Sequence, residues 1–352
     1  MVILLIAFCI CVCTLPMAHR LTTPQILLDM EDIMQKKVND PNTTPIKQDV
    51  VKYKIRASID NFYDTQKLRI QCGNRICAAI RQTDDETEND NILKTLASEY
   101  NRVTDVLAEK YKSSRRSLGK AIKATDDLEI IKSEIDYNMA EQYVALLNQE
   151  QQISKFISKL VKEHPMWDRF FESVDGCGPL MAAVCISYLD IHKARYVSSF
   201  WSYAGVGTRA ADDPDAPRVA MSRKALVDAV YLDKDGNVQM RKSIGYNDFL
   251  HTKLLGVLGD SFVKRSGSEY RKVYDDYKNR YQNRADWKND KGEVSAMRCH
   301  RAAIRQAIKA FLRDLWIEWR TYEGYTIPES YAEAHLGMAP HGYNEADMRP
   351  VE

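Results

Sequence analysis

The stretch "SVDGCGPLMAAV", residues 173–184, sets Gly176 and Gly178 on either side of Cys177 and places Pro179 directly before an apolar run. Proline suits the first position of a helix, because the amide it lacks would have no acceptor there. The spacing predicts a tight turn entering a helix whose first free amides, those of Gly178, Leu180 and Met181, face outward at the positive end of the helix dipole. Three readings stay open for such a turn: a phosphate cradle, an interhelical turn with no ligand, or one side of a metal site.

Working outward, "FFESVDGCGPLMAAVCISYL" reads as a helix-hairpin-helix. A short helix over 166–174 leads into the turn, a second follows over 179–188, and a third starts near Phe200. The next forty residues are rich in turn formers, and Asp235-Gly236 between two apolar stretches predicts a small β-hairpin. Helices resume over 246–264, 267–284 and 294–322. Upstream, residues 89–164 carry apolar positions at Leu128, Ile131, Ile135, Met139, Leu146, Ile153, Phe156 and Leu160. That spacing predicts a long helical hairpin or coiled coil, with Thr125 or Asp126 capping its second arm.

The expected fold class is therefore mainly α, a long helical hairpin or coiled coil followed by a helical domain that contains the helix-hairpin-helix and a small β-hairpin insertion. The expected divisions are an apolar leader over 1–16, an N-terminal helical region over 17–84, the hairpin over 85–164, a compact domain over 165–325 and a tail over 326–352.

Composition limits the function less than position does. The 352-residue chain is 45% apolar and 28% charged, with a net charge of +1, so it carries no global mark of a polyanion partner. Residues 241–320, however, hold 18 Lys or Arg against 10 Asp or Glu. Cysteines 72, 77, 177, 185 and 299 show no C-x-x-C spacing, which argues against a structural zinc site and predicts reduced thiols in a cytoplasmic protein. No metal and no cofactor is expected. The apolar leader lacks the basic residues that precede a signal peptide's core, and it is short for a membrane span. It reads as a start upstream of the true one at Met17, with a signal or anchor as the alternative; a membrane partner is not expected.

Past the turn, "VDGCGPLMAAVCISYLDIHKARYVSSFWSYAGVGTR" resembles the C-terminal domain of the bridge-RNA-guided insertion-sequence transposases of the IS one-ten group. The likeness runs through Gly176, Gly178, Pro179, Ala182, Asp190, Ile191, Phe200, Tyr203, Ala204, Gly205 and Arg209. A second match is "RKSIGYNDFLHTKLLGVLG", which is similar to the family's basic helix start. The resemblance covers residues 166–259, extends loosely to the coiled-coil position, and is absent before residue 85. It implies a cytoplasmic protein of DNA transposition or recombination, with DNA as partner through its backbone phosphates, RNA as a further candidate, and a homo-oligomer formed through the coiled coil.

Two departures qualify that likeness. The family's nuclease domain, with its magnesium-binding carboxylates, has no counterpart strand in residues 17–120. Its nucleophilic serine falls, in this chain, near Asp212 or Asp213, which cannot form a phosphoserine link. The reading that follows is a DNA-binding protein contacting phosphates through Gly176, Gly178, Pro179, Leu180 and Met181 at the turn and through Arg209, Arg241, Lys242, Arg301 and Arg305. The alternative is an active serine recombinase with Ser222 or Ser243, both beside basic residues, as nucleophile.

Two further patterns have a bland and a sharp reading. His300, Arg301, Arg305, Lys309 and Arg313 form a basic helical stripe, either a solvated face or a phosphate contact. Tyr270, Tyr274, Tyr277 and Tyr281 recur at helical spacing among basic residues, suited to core packing or to gripping a single strand. Trp316 and Trp319 read as core anchors.

Overall fold

The computed structural model describes residues 50–80, 89–209, 219–223, 226–234, 236–289 and 292–328. The leader, the start of the N-terminal region, and most of the tail lie outside them. The fold is mainly α-helical with a small antiparallel hairpin.

Helices α1 (Val50–Ile80), α2 (Asn89–Tyr111), α3 (Leu118–Lys123) and α4 (Glu134–Lys162) come first. Helices α1 and α4 lie antiparallel along each other. Ile55 and Ile59 share one core with Ile157 and Leu160, whereas Ile76 shares a second with Tyr137, Ala140 and Tyr143. Between these ends Gln66 donates to Glu150 at 2.9 Å and Arg69 pairs with the same carboxylate. The division expected at 84/85 thus separates two helices that form one pair. Helix α4 fills its long apolar face mainly with α1, and α2 packs beside its N-terminal half. Ile135 and Phe156, expected on the seam, are exposed.

The start of α4 differs from the expected cap at Thr125 or Asp126. Ser133 is the cap: its Oγ accepts from the Asp136 amide at 3.3 Å, and Asp136 accepts from the Ser133 amide at 2.8 Å. The reason lies across the bundle. The fully buried carboxylate of Glu99 on α2 accepts from the amides of Glu129, Ile130 and Ile131, the last at 2.8 Å, and holds that segment out of the helix.

The C-terminal half is built around α6 (Pro179–Tyr188), preceded by one-turn α5 (Met166–Arg169) and a 3₁₀ turn over Phe171–Ser173. Every residue of α6 from Met181 to Ser187 is buried, because α1, α4 and α8 (Asp248–Lys253) cover it from different sides. Lys52 on α1 donates to the Leu189 carbonyl at 2.7 Å and fixes the far end.

Helix α7 (Val197–Tyr203) follows, then β1 (Thr208–Arg209) paired with β2 (Val219–Ala220), and the hairpin of β3 (Leu226–Leu232) and β4 (Val238–Ile244), in register from Leu226↔Ile244 to Leu232↔Val238. Helix α8 passes through a π turn (Leu254–Leu258) into α9 (Gly259–Lys264). Helices α10 (Glu269–Gln282) and α11 (Ala296–Tyr322) close the unit, with Phe311, Leu312, Leu315 and Trp316 on the core face of α11. Among the described residues no helix is long and apolar enough to cross a membrane.

Candidate nucleic-acid interface

The two glycines of the turn do different work. Gly176 has φ +94°, which side chains resist, and a Cβ there would lie 3.1 Å from Ser261 Oγ. Ser261 on α9 donates to the Gly176 carbonyl at 2.8 Å, while the Cys177 amide closes the turn onto the Val174 carbonyl at 3.0 Å. Gly178 sits at φ −73°, ψ 171°, ordinary extended backbone, with nothing within 4 Å of a Cβ. Its glycine is required neither by backbone angle nor by space.

Helix α6 starts with no side-chain cap and with Pro179 in its first turn. The Met181 amide returns to the Gly178 carbonyl at 3.0 Å, and the Met181 side chain is buried. Met181 therefore leaves the expected set of outward amides. Those of Gly178 and Leu180 have no acceptor among the described residues, and Gly178 is exposed. The cradle is thus two amides wide, beside a dipole that favours an anion. Exposed Glu172 and Asp175 flank it in the preceding loop. Burial pushes the thiols of Cys177 and Cys185 up, so both stay protonated. Among the described residues no group of three or more His, Cys, Asp or Glu is placed to hold a metal ion.

A second cluster forms where Tyr203-Ala204-Gly205 meets Tyr246-Asn247. The Asn247 amide donates to the Tyr203 carbonyl at 2.9 Å and its side chain to the Tyr203 hydroxyl at 3.0 Å, while Asn247 Oδ1 caps α8 through the Leu250 amide. His251 Nδ1 lies 3.0 Å from the Ala204 carbonyl, which only accepts, so that nitrogen carries the proton. Burial lowers the His251 pKa. Gly205, at φ +67°, lies under the Tyr246 ring, which a Cβ would meet at 2.5 Å. The Tyr246 hydroxyl is shut from solvent with no hydrogen-bond partner among the described residues.

Arginines tie this cluster together. Arg305 donates to the carbonyls of Gly205 at 3.0 Å and Met221 at 3.4 Å, and Arg223 makes a paired contact with Asp248 at 2.6 and 2.9 Å and a third bond to Thr252. Arg305, expected to face phosphate, is instead half-buried and holds backbone, and burial lowers its pKa.

The other expected residues scatter. Arg301 is exposed. Arg241 lies on β4 over the Tyr231 ring, and Lys242 pairs with Asp228 at 2.8 Å; both are exposed. Arg209 ends β1, and its side chain lies outside the described residues, as do Asp212 and Asp213. Ser222 is exposed and lies between Met221, whose carbonyl Arg305 holds, and Arg223. Ser243 is half-buried on the hairpin opposite Val227.

The basic stripe of α11 is largely neither a solvated nor a free face. His300 Nδ1 lies 2.8 Å from the Tyr274 hydroxyl, Lys309 sits 4.4 Å from the centre of the Trp201 ring, and Arg313 meets Asp314 at 2.9 Å. Tyr270 and Tyr274 are buried against α11, and Tyr281 stacks on Trp287 at 4.8 Å. Trp316 is buried and donates to the Ala194 carbonyl at 2.9 Å, with Trp319 buried nearby.

The residues that sequence reasoning missed are Tyr246, His251 and Arg223, within or beside the second matched segment, and Lys253 and Tyr63, discussed below. Compared with known proteins, the chain matches no protein-family model and no curated protein.

Proposed function

We propose that this chain is a DNA-binding protein related to the C-terminal half of the bridge-RNA-guided insertion-sequence transposases, acting in transposition or recombination. The observation that supports it best is the interlock of the two matched segments. Tyr203, Ala204 and Gly205 are bonded or packed against Tyr246, Asn247 and His251, some forty residues later, so the residues behind the resemblance form one built cluster. The open start of α6 supplies the phosphate contact, through the amides of Gly178 and Leu180, and Arg301 adds an exposed charge. Arg241 and Lys242, exposed on β4, add further positive charge. Affinity is then chiefly electrostatic and falls steeply with salt. Among the described residues, the five cysteines are all free, which fits a reducing, cytoplasmic setting. A homo-oligomer would use the outer faces of the α1–α4 pair, where Leu68 and Phe156 are exposed.

The test is a salt series of gel shifts on duplex, single-stranded and junction DNA, with wild type and Gly178→Asp. The new carboxylate has open space and sits over the two amides, so it should weaken binding at every sequence alike. A folded variant that binds as wild type does removes the cradle. Absence of any salt-dependent DNA binding by wild type removes the whole reading.

A second reading, a serine recombinase, is favoured by one observation: Ser222 is exposed and flanked by residues anchored to the cluster of Arg305 and His251, whereas Ser243 is not. In it a bond forms from Ser222 Oγ to phosphorus as the hydroxyl gives up its proton, the bond from phosphorus to the departing deoxyribose oxygen breaks, and that oxygen takes up the proton released, so no net proton is gained or lost. A covalent protein–DNA adduct on supercoiled or junction DNA, lost in Ser222→Ala, would establish it.

A further inference from the structure

An open groove runs between α1 and α8, bordered by Tyr63, Gln66, Lys67, Ile70, Phe249 and Lys253. Two of its lining rings, Tyr63 and Phe249, belong to a longer row of rings and cations. Arg56 lies 3.4 Å from the centre of the Tyr188 ring, Tyr188 stacks on Phe249 at 4.8 Å, Phe249 meets Tyr63 edge-on at 5.1 Å, and Lys253 sits 3.6 Å from the Tyr63 ring centre.

Lys253 is the exception in that row. Arg56 has Asp60 at 3.1 Å, but the half-buried Lys253 ammonium has no carboxylate within ion-pair distance among the described residues. Asp248, which also borders the groove, is engaged by both arms of Arg223. Burial lowers the Lys253 pKa with nothing opposing it. Aromatic faces return only part of what an ammonium loses on leaving water. An anion in the groove would supply the rest.

The surface beside that cation is open and partly apolar, with Ile70 and Gln71 exposed along it. A phosphate joined to a planar heterocycle matches both halves. The groove also opens onto the cluster described above, because Asp248 and Thr252, which border it, hold Arg223. We propose that this groove takes one unpaired nucleotide of a DNA strand, its phosphate on Lys253 with Lys67 at the rim and its base against Tyr63 and Ile70. This inference rests on the DNA-binding reading and extends it from duplex backbone to a nucleotide outside the duplex.

The experiment is fluorescence anisotropy of the full chain with labelled short oligo(dT) and, separately, a duplex, over a range of salt. Lys253→Met should lower the slope of log affinity against log salt for oligo(dT) by about 0.7, one phosphate contact on a single strand. Lys253→Arg should preserve the slope. Tyr63→Leu should weaken oligo(dT) about 5-fold or more, with the duplex unaffected in each case. Lys67→Met, at an exposed position that cannot unfold the chain, should also lower the slope. Unchanged slopes in both methionine variants overturn the proposal, as does tighter binding of oligo(U) than oligo(dT) or equal binding of free thymidine monophosphate. Duplex binding without oligo(dT) binding sinks the groove alone, whereas no binding of either by wild type sinks the DNA reading beneath it.

Discussion

Residues 129–131 carry three backbone amides that no helix or strand bonds, residues 178 and 180 carry two, and the chain treats the two sets oppositely. The first set surrounds the buried carboxylate of Glu99. The second opens to solvent, with no cap and no acceptor among the described residues. Backbone amides in a cluster attract an anion in either case. The internal set is filled by the chain's own carboxylate because nothing else reaches it. The external set can stay empty without a large penalty, since water serves it until a phosphate replaces the water.

The largest effect expected from this contrast is at Glu99. Glu99→Ala strips three amides of their acceptor, that of Ile131 in the core and the other two at its edge, at about 1–3 kcal/mol each before water or relaxation relieves them, so a loss of about 3 kcal/mol or more should appear in urea unfolding. Glu99→Gln retains one acceptor oxygen and should fall between. A loss below about 1 kcal/mol for the alanine variant would mean that water fills the site equally well.

Next comes Gly176, where the open turn needs its own support. Gly176→Ala places a side chain at φ +94° and against Ser261 Oγ, and should cost about 1–3 kcal/mol. Because that turn presents the amides, thermal melting and DNA binding should fall together. Replacing both glycines at once would confuse this loss of structure with loss of a phosphate contact, and so Gly178 alone is the informative position.

A smaller effect belongs to the capped helix. Ser133→Ala removes the bond from the Asp136 amide and should cost about 1 kcal/mol in urea unfolding, with DNA affinity unchanged.

These positions also show what the sequence discloses. The turn, the helix after Pro179 and the hairpin near Gly236 rest on local chemistry, and local chemistry is visible in order of residues. Ser133 is legible too, since Ser-x-x-Asp ahead of an apolar run is a capping signature, although the apolar periodicity alone points to Thr125 or Asp126. What displaced those two is Glu99, some thirty residues earlier, and no local pattern announces that contact. The same holds for Arg305 and Lys309. Their spacing on α11 describes a basic stripe, but Gly205, Met221 and Trp201 arrive from elsewhere to cover it. Lys253 and Tyr63 lie on helices far apart in the chain, α8 and α1, so the groove exists only in the fold.

The smallest expected change has the opposite sign from the others. Gly178 occupies the cap position of α6 with the extended backbone that a capping serine adopts, and a Cβ there meets nothing within 4 Å. Gly178→Ser should therefore accept a bond from an amide at the helix start and stabilise the protein by a few tenths of a kcal/mol, given that glycine is itself a tolerable cap. The hydroxyl would then occupy an amide that the phosphate needs, so DNA affinity should fall while the melting temperature rises. Few structural accounts of a glycine produce that pair of signs. A turn serving only to join two helices would gain the stability and leave binding untouched, and a serine that destabilised the protein would show that the helix start is already satisfied.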